Sequence, residues 1–282
     1  MARSLHVLIT GASAGIGAAI ACRLAREGHL VYGTTRHLGN LENSPPELRK
    51  AVAAGAVRMV ALDVTEPASI RACVDGILAE AKYIDVLINN AGWGTYGPVE
   101  EVPIETVQRL FETIVLGALR MIQAVVPGMR ERGEGMVINI TSVAARAVIP
   151  FQAHYSAAKA ALEFLTIGLR QEMRPFGVRV TALEPSDINT RFNDATVFGI
   201  KAESPYKPWS EPCWKVIAEN LPKSPPPSVV AAKVSRLIAK RRPKAIYTCG
   251  IPLQRLAPLV FRFLPKSTEL ALMRLFYGLG IR

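Results

Sequence analysis

The chain has 282 residues, half of them apolar and a fifth charged, which fits a soluble globular protein of one large α/β domain or two small ones. Its formal charge of +11 is uneven: residues 1–200 hold 19 Lys/Arg against 19 Asp/Glu, and residues 201–282 hold 15 against 4. A basic end of this kind suits an anionic partner or a membrane surface, or is a solvated face.

Cys22, Cys73, Cys213 and Cys249 form no CxxC pair and have no His cluster beside them. No metal site and no disulfide framework are expected, and a reducing compartment fits. The start of the chain reads as strand, turn and helix rather than a signal peptide. No uninterrupted apolar stretch reaches the ~18–20 residues of a bilayer span, so the expected address is cytoplasmic, with peripheral membrane association as an extension of it.

Residues 5–10 are an apolar, β-branched run, as in a buried parallel strand. The turn Gly11-xxx-Gly15-x-Gly17 follows, then a helix over 18–27. Strand, glycine turn and helix make the context of a dinucleotide site, where backbone approaches a pyrophosphate at the positive helix end. The candidate cofactor contacts in the turn are Gly11, Ser13, Gly15, Ile16 and Gly17; a glycine turn without a ligand is the plain alternative. A second strand, 30–35, ends at Arg36. An acid there would bind a ribose 2′-hydroxyl, whereas Arg accommodates a 2′-phosphate, so Arg36 favours NADPH over NADH.

The unit repeats: helix 46–54, strand 57–62 ending in Asp63-Val64, helix 67–81, and strand 84–88 opening into Asn89-Asn90. Strands alternating with helices predict a Rossmann-type, doubly wound parallel α/β sheet of about seven strands. Ligands bind beyond the carboxyl ends of such strands, where Gly11, Arg36, Asp63, Val64 and Asn90 all fall. A long helical pattern covers 105–132, with an interruption expected near Pro127. Strand 136–140 ends at Ser142.

A helix over 153–174 carries Tyr155 and Lys159 near its start. At i, i+4 they share a face, and a cation beside a phenol favours phenolate and equips it as a general acid/base. The alternative is a pair on a solvated face. A strand over 178–183 leads to Glu184-Pro185-Ser186.

Residues 187–227 read as an irregular substrate loop whose Phe192, Phe198, Tyr206, Trp209 and Trp214 suit an apolar substrate or pack as core. Helix 229–239 and strand 245–248 complete a catalytic domain over 1–250. The extension 251–282 reads as two short helices with broad apolar faces and basic flanks. It fits an entrance cover, an interfacial membrane contact, or packing on the domain or a sister subunit.

Thr10-Gly11-xxx-Gly15-Ile-Gly17, Asp63, Asn89-Asn90-Ala-Gly92, Ser142, Tyr155-xxx-Lys159 and Pro185 followed by Thr190 stand in one order over about residues 5–250. This set resembles the short-chain dehydrogenase/reductase family. The resemblance implies a Ser142, Tyr155, Lys159 catalytic set. Tyr155 would exchange the proton, Ser142 would hold the substrate oxygen, and Lys159 would depress the Tyr155 pKa and contact the nicotinamide ribose.

It further implies that Asp63 and Val64 flank the adenine, that Asn90 and Pro185 help hold the cofactor, and that Thr190 reaches the carboxamide. Similar extensions occur in members handling steroids, retinoids and other lipophilic ketones, which points to a lipophilic carbonyl or alcohol. NADP(H) is the expected cofactor, with a homo-oligomer and no nucleic acid as partners. Two departures stand out: Ile114 where many relatives carry an Asn, and Ser186 where many carry a Gly. Ile114 puts the usual proton relay in question, because its side chain neither holds a water nor bends the helix. The alternatives are an NAD-dependent alcohol dehydrogenase and a catalytically weakened nucleotide-binding sensor or scaffold.

Overall fold

Short aliphatic runs whose successive side chains point to opposite faces pair side by side in a computed structural model that describes residues 3–280. In chain order the first half comprises β1 (His6–Ile9), α1 (Gly15–Arg26), β2 (Leu30–Thr35), α2 (Pro46–Ala53), β3 (Val57–Ala61), α3 (Pro67–Ala81), β4 (Val86–Asn89), β5 (Thr95–Tyr96) and α4 (Ile104–Phe111). Then come α5 (Gly117–Arg132), β6 (Gly135–Ile140), α6 (Ala153–Met173), β7 (Val178–Pro185), β8 (Val197–Phe198), α7 (Lys207–Asn220), α8 (Ser228–Ile238), β9 (Ile246–Cys249), α9 (Pro252–Phe261) and α10 (Lys266–Phe276). The last two residues of the extension, Ile281 and Arg282, lie outside the described part.

Seven strands form one sheet in the order β3-β2-β1-β4-β6-β7-β9. Every pairing is parallel. The strand period of two sorts the apolar residues into two cores. Val7, Ile9, Val86, Ile88 and Ile138 face Ile20 and Leu24 of α1 and Val234 and Leu237 of α8. Leu8, Leu87 and Val137 face Ile77 of α3 and Met121 and Met129 of α5. The expected doubly wound parallel sheet of seven strands is therefore what the chain builds.

Two expectations are corrected. The helical run over 105–132 is interrupted at Glu112–Leu116, which forms a π-helical turn, whereas Pro127 sits inside an unbroken α5. Ile114 lies in that turn, 1 % exposed, packed with Leu110, Ala118, Ala158 and Leu162. The helix thus widens without an Asn side chain. Just after the turn Gly117 packs closely on Val64, where a Cβ would meet Val64 Cγ2 at 2.7 Å. The composite helix Ile104–Arg132 is long and apolar enough to cross a membrane, but half of its apolar window is buried in the protein.

The segment read as irregular contains α7 and β8, which pairs with β5. Of its aromatics, Trp214 is partly buried, 4.8 Å from Tyr96 and 4.7 Å from a half-exposed Phe198, ring centre to centre. The buried Tyr96 hydroxyl donates to Ser210 O at 2.6 Å. Trp209 is half exposed. The prolines that disguised α7 include one in its first turn, where the missing N–H costs nothing.

A buried polar chain fastens α6 to the sheet. Asn89 Nδ2 donates to Asn139 Oδ1 at 2.9 Å, and Asn139 Nδ2 donates to Thr166 Oγ1 at 2.8 Å. Asn139→Ala leaves the buried Asn89 amide without its acceptor and takes a donor from Thr166, whose hydroxyl keeps its bond to Leu162 O. It is expected to lower the unfolding free energy by about 1–3 kcal/mol, read from the denaturant midpoint at unchanged slope.

Candidate active site

The carboxyl ends of β1, β2, β4, β6 and β7 open into one cleft of about 910 Å³, within the range of small-molecule and cofactor sites. One wall is the glycine turn. Gly11 and Gly15 hold φ of +66° and +53°, a left-handed backbone that suits glycine, and a Cβ on Gly11 would stand 3.0 Å from Ala91 Cα. Gly11, Ser13, Gly15 and Ile16 line the cleft. The N-cap of α1, Ala14, makes no side-chain capping bond, and its first turn carries no acid, so the leading backbone amides are left to an anion. Gly17 is different: it does not line the cleft, and a Cβ there would sit 2.6 Å from Asn90 Nδ2. Its work is packing beneath the turn.

Asn90 acts on the same turn from the other side. Its Nδ2 donates to Thr10 O at 3.0 Å and Gly11 O at 2.9 Å, while its own amide and that of Ala91 donate to Thr10 Oγ1. The side chain lines the cleft but is committed to holding the turn. Arg36, exposed at the end of β2, lines the cleft together with Asp63 and Val64. Burial alone would raise the Asp63 carboxyl, but bonds from the Thr65 amide and hydroxyl at 2.9 and 2.7 Å outweigh it and hold it below its usual value.

Ser142, Tyr155 and Lys159 meet at the middle of the cleft. Ser142 leaves the end of β6 and accepts from Ala144 N at 3.1 Å, which fixes the turn carrying it. Lys159, 5 % exposed, donates to Ile140 O at 2.8 Å, and its Nζ stands 5.7 Å from the Tyr155 ring centre. Burial pushes Lys159 down to about 8. Burial also pushes the Tyr155 phenol up to about 12, against the neighbouring Ser142 hydroxyl, which lowers it. The depression of Tyr155 expected from Lys159 is thus corrected: the ammonium is turned to the β6 carbonyl, and desolvation dominates both groups.

The second wall comes from the loop after β7. Pro185 and Thr190 line it, and the Thr190 methyl would lie 3.5 Å from a Cβ on Gly15, so the loop closes over the glycine turn. Phe192 packs edge-on to Tyr155 at 5.5 Å. Of the five aromatics singled out in 187–227, only Phe192 lines the cleft; Trp93, Phe276 and Tyr277 supply further aromatic surface from outside that segment.

Ser186 has a defined task. Its Oγ accepts from Ile251 N at 2.8 Å, and next to it Asp187 N donates to Gln254 Oε1 while Gln254 Nε2 donates to Asp187 Oδ2 at 2.6 Å. The start of α9 is therefore fastened to the cleft loop.

Sequence reasoning passed over a charged group behind the site. Arg146 Nε lies 3.2 Å from Glu163 Oε1 and 2.8 Å from Glu184 Oε1. Glu184 is fully buried, and burial, reinforced by the Glu163 carboxyl, raises it far above the carboxylate range. The available signals were position: Arg146 is four residues after Ser142, Glu163 four after Lys159, and Glu184 immediately precedes Pro185.

Known proteins agree with this architecture. The family model described as short chain dehydrogenase matches residues 5–197. A 3-ketodihydrosphingosine reductase of Bacteroides thetaiotaomicron is 34 % identical over 275 residues, 97 % of this chain and 98 % of that protein. A short-chain dehydrogenase structure from Streptomyces avermitilis superposes with a TM-score of 0.81 at 31 % identity, covering 95 % of this chain and 96 % of the other. The closed form of a serine dehydrogenase complexed with NADP+ superposes with a TM-score of 0.73 at 26 % identity, covering 88 % and 95 %. The seven-stranded sheet, the glycine turn at its switch point and these matches together place the chain in the short-chain dehydrogenase/reductase family of oxidoreductases.

Proposed function

We propose that the protein is an NADPH-preferring reductase that interconverts a ketone or aldehyde and an alcohol on a lipophilic substrate, with Ser142, Tyr155 and Lys159 as its catalytic residues. The observation that carries this reading is the convergence of those three side chains, two of them with burial-shifted pKa values, in the cleft that the uncapped glycine turn also lines. Perturbed titratable groups gathered in a cleft mark a reaction centre.

The cleft fits a dinucleotide. The open amides of α1 suit a pyrophosphate, and Arg36 at the β2 end suits a 2′-phosphate. Asp63 and Val64 border the adenine end, and Pro185 and Thr190 border the nicotinamide end. NADP+ in the related serine dehydrogenase structure supports the same cofactor here. When bound, the nicotinamide supplies the hydride.

The chain's own residues handle the proton. Near neutral pH Tyr155 is protonated, because burial holds it at about 12, and it is ready to donate from its hydroxyl to a carbonyl oxygen. The Ser142 hydroxyl steadies that oxygen, and charged Lys159 keeps a positive potential beside it. The lipophilic substrate class rests on the apolar wall of Trp93, Ile149, Phe192, Ile217 and Phe276. The name of the Bacteroides relative, a 3-ketodihydrosphingosine reductase, supports it.

Tyr155→Phe removes the proton donor and is expected to cut kcat on a carbonyl panel by about 10²–10⁴-fold, followed by NADPH absorbance. An equally active variant overturns the mechanism, and a wild type that binds NADPH without turning over any carbonyl favours a sensor. Arg36→Ala is expected to raise KM for NADPH about 10–100-fold and leave KM for NADH nearly unchanged; a clear wild-type preference for NADH refutes the cofactor assignment.

Lys159 is charged below its depressed value and loses that charge as pH rises through about 8. Reduction is therefore expected to be level below pH 8 and to decline above it. Tyr155, at about 12, adds no limb below pH 11. A kcat/KM profile for the ketone checks both statements.

A further inference from the structure

The C-terminal extension carries apolar surface beyond the Phe276 and Tyr277 that line the cleft. α9 exposes Leu253, Leu256 and Val260, and Phe263 follows in the next turn with its amide still bonded to Val260 O. Their exposures are 75, 55, 50 and 78 %. Steps of three, four and three residues align them in one stripe. On α10, Leu272, Leu275 and Phe276 are also exposed and span only ~100° of the helix circumference. Among the described residues, eight of the 22 exposed large apolar side chains fall in residues 253–276, a contiguous segment that a water-facing surface does not explain.

The charge around the stripe has one sign. Arg255 and Arg262 are exposed, and Glu269, the one acid in 251–282, is buried and held by Lys266 Nζ at 2.8 Å. A second copy of this extension would offer Arg255 and Arg262 no exposed acid to pair with. Apolar side chains flanked by cations, without acids, match an anionic lipid surface.

The stripe is attached at the rim of the cleft. Ile251 and Gln254 are bonded to Ser186 and Asp187 of the cleft loop, and Phe276 and Tyr277, at the end of α10, line the cleft itself.

We propose that the α9–α10 face seats on an anionic bilayer, with the cleft turned to the lipid, so that substrate enters from the membrane. The entry route rests on the lipophilic substrate class proposed above; the docking does not.

Cosedimentation with vesicles tests it, using phosphatidylcholine alone or with a third of it replaced by phosphatidylglycerol. Wild type is expected to bind the anionic vesicles about tenfold more tightly than the neutral ones. Leu253→Ser/Phe263→Ser abolishes sedimentation while KM for NADPH and for a water-soluble ketone stays unchanged. Arg255→Glu/Arg262→Glu removes the preference for anionic lipid.

Wild type that sediments with neither vesicle overturns the proposal. So does a dimer, seen by sedimentation velocity without lipid, that Leu253→Ser/Phe263→Ser dissolves, since the face is then an interface between copies. Vesicle binding needs no turnover, so a failed carbonyl panel with intact binding defeats the substrate reading and leaves the docking standing.

Discussion

The structure depends on how β1 and β4 are held together where their exits diverge. The chain leaves β1 for α1 on one face of the sheet and leaves β4 for the helices of the other face. Parallel ladder bonds end with the strands, so the crevice between these exits needs other fasteners. Thr10 and Asn90 provide them: two amides converge on one hydroxyl, and one carboxamide grips two successive carbonyls. Gly17 lets α1 press against this knot, because any side chain there would strike Asn90. A cofactor crevice at the switch point thus exists because polar side chains replace the missing ladder without filling the gap.

At Tyr155 and Lys159, loss of water outweighs attraction between charges. Tyr155 and Lys159 are shifted in opposite directions, and burial is the leading cause for both. Each is pushed towards its uncharged form, which is the signature of a low-dielectric wall. The same wall acts on Glu184 behind them. One guanidinium cannot neutralise two buried carboxylates, so Glu184 retains its proton. Arg146 then joins the Ser142 turn, α6 and β7 through a group of low net charge.

The glycine turn, Arg36, Asp63, Ser142 and the Tyr155/Lys159 pair were legible because each sits at a fixed offset from a strand end, and strand ends follow from hydrophobic period. What stayed hidden depends on contacts between distant segments. The π-turn at Glu112–Leu116 leaves no mark in a periodicity that averages over several turns. Trp214 and Phe198 looked like substrate surface because nothing in their neighbourhood announces Tyr96, which lies more than a hundred residues earlier and collects them. Ser186 read as a variation of the nicotinamide loop. Its partner, the Ile251 amide, belongs to a helix sixty-odd residues on, and no local pattern connects the two.

The place of β9 has a consequence for the order in which the molecule can be made. This strand, near the end of the chain, is the outermost neighbour of β7. While the ribosome still holds residues 246–249, β7 is an unpaired edge of aliphatic residues, open to pairing with a neighbouring nascent chain. The opposite half, β3-β2-β1-β4, is complete once about the first ninety residues have emerged. Synthesis therefore delivers the strands of the dinucleotide half first and the edge strand of the substrate half last.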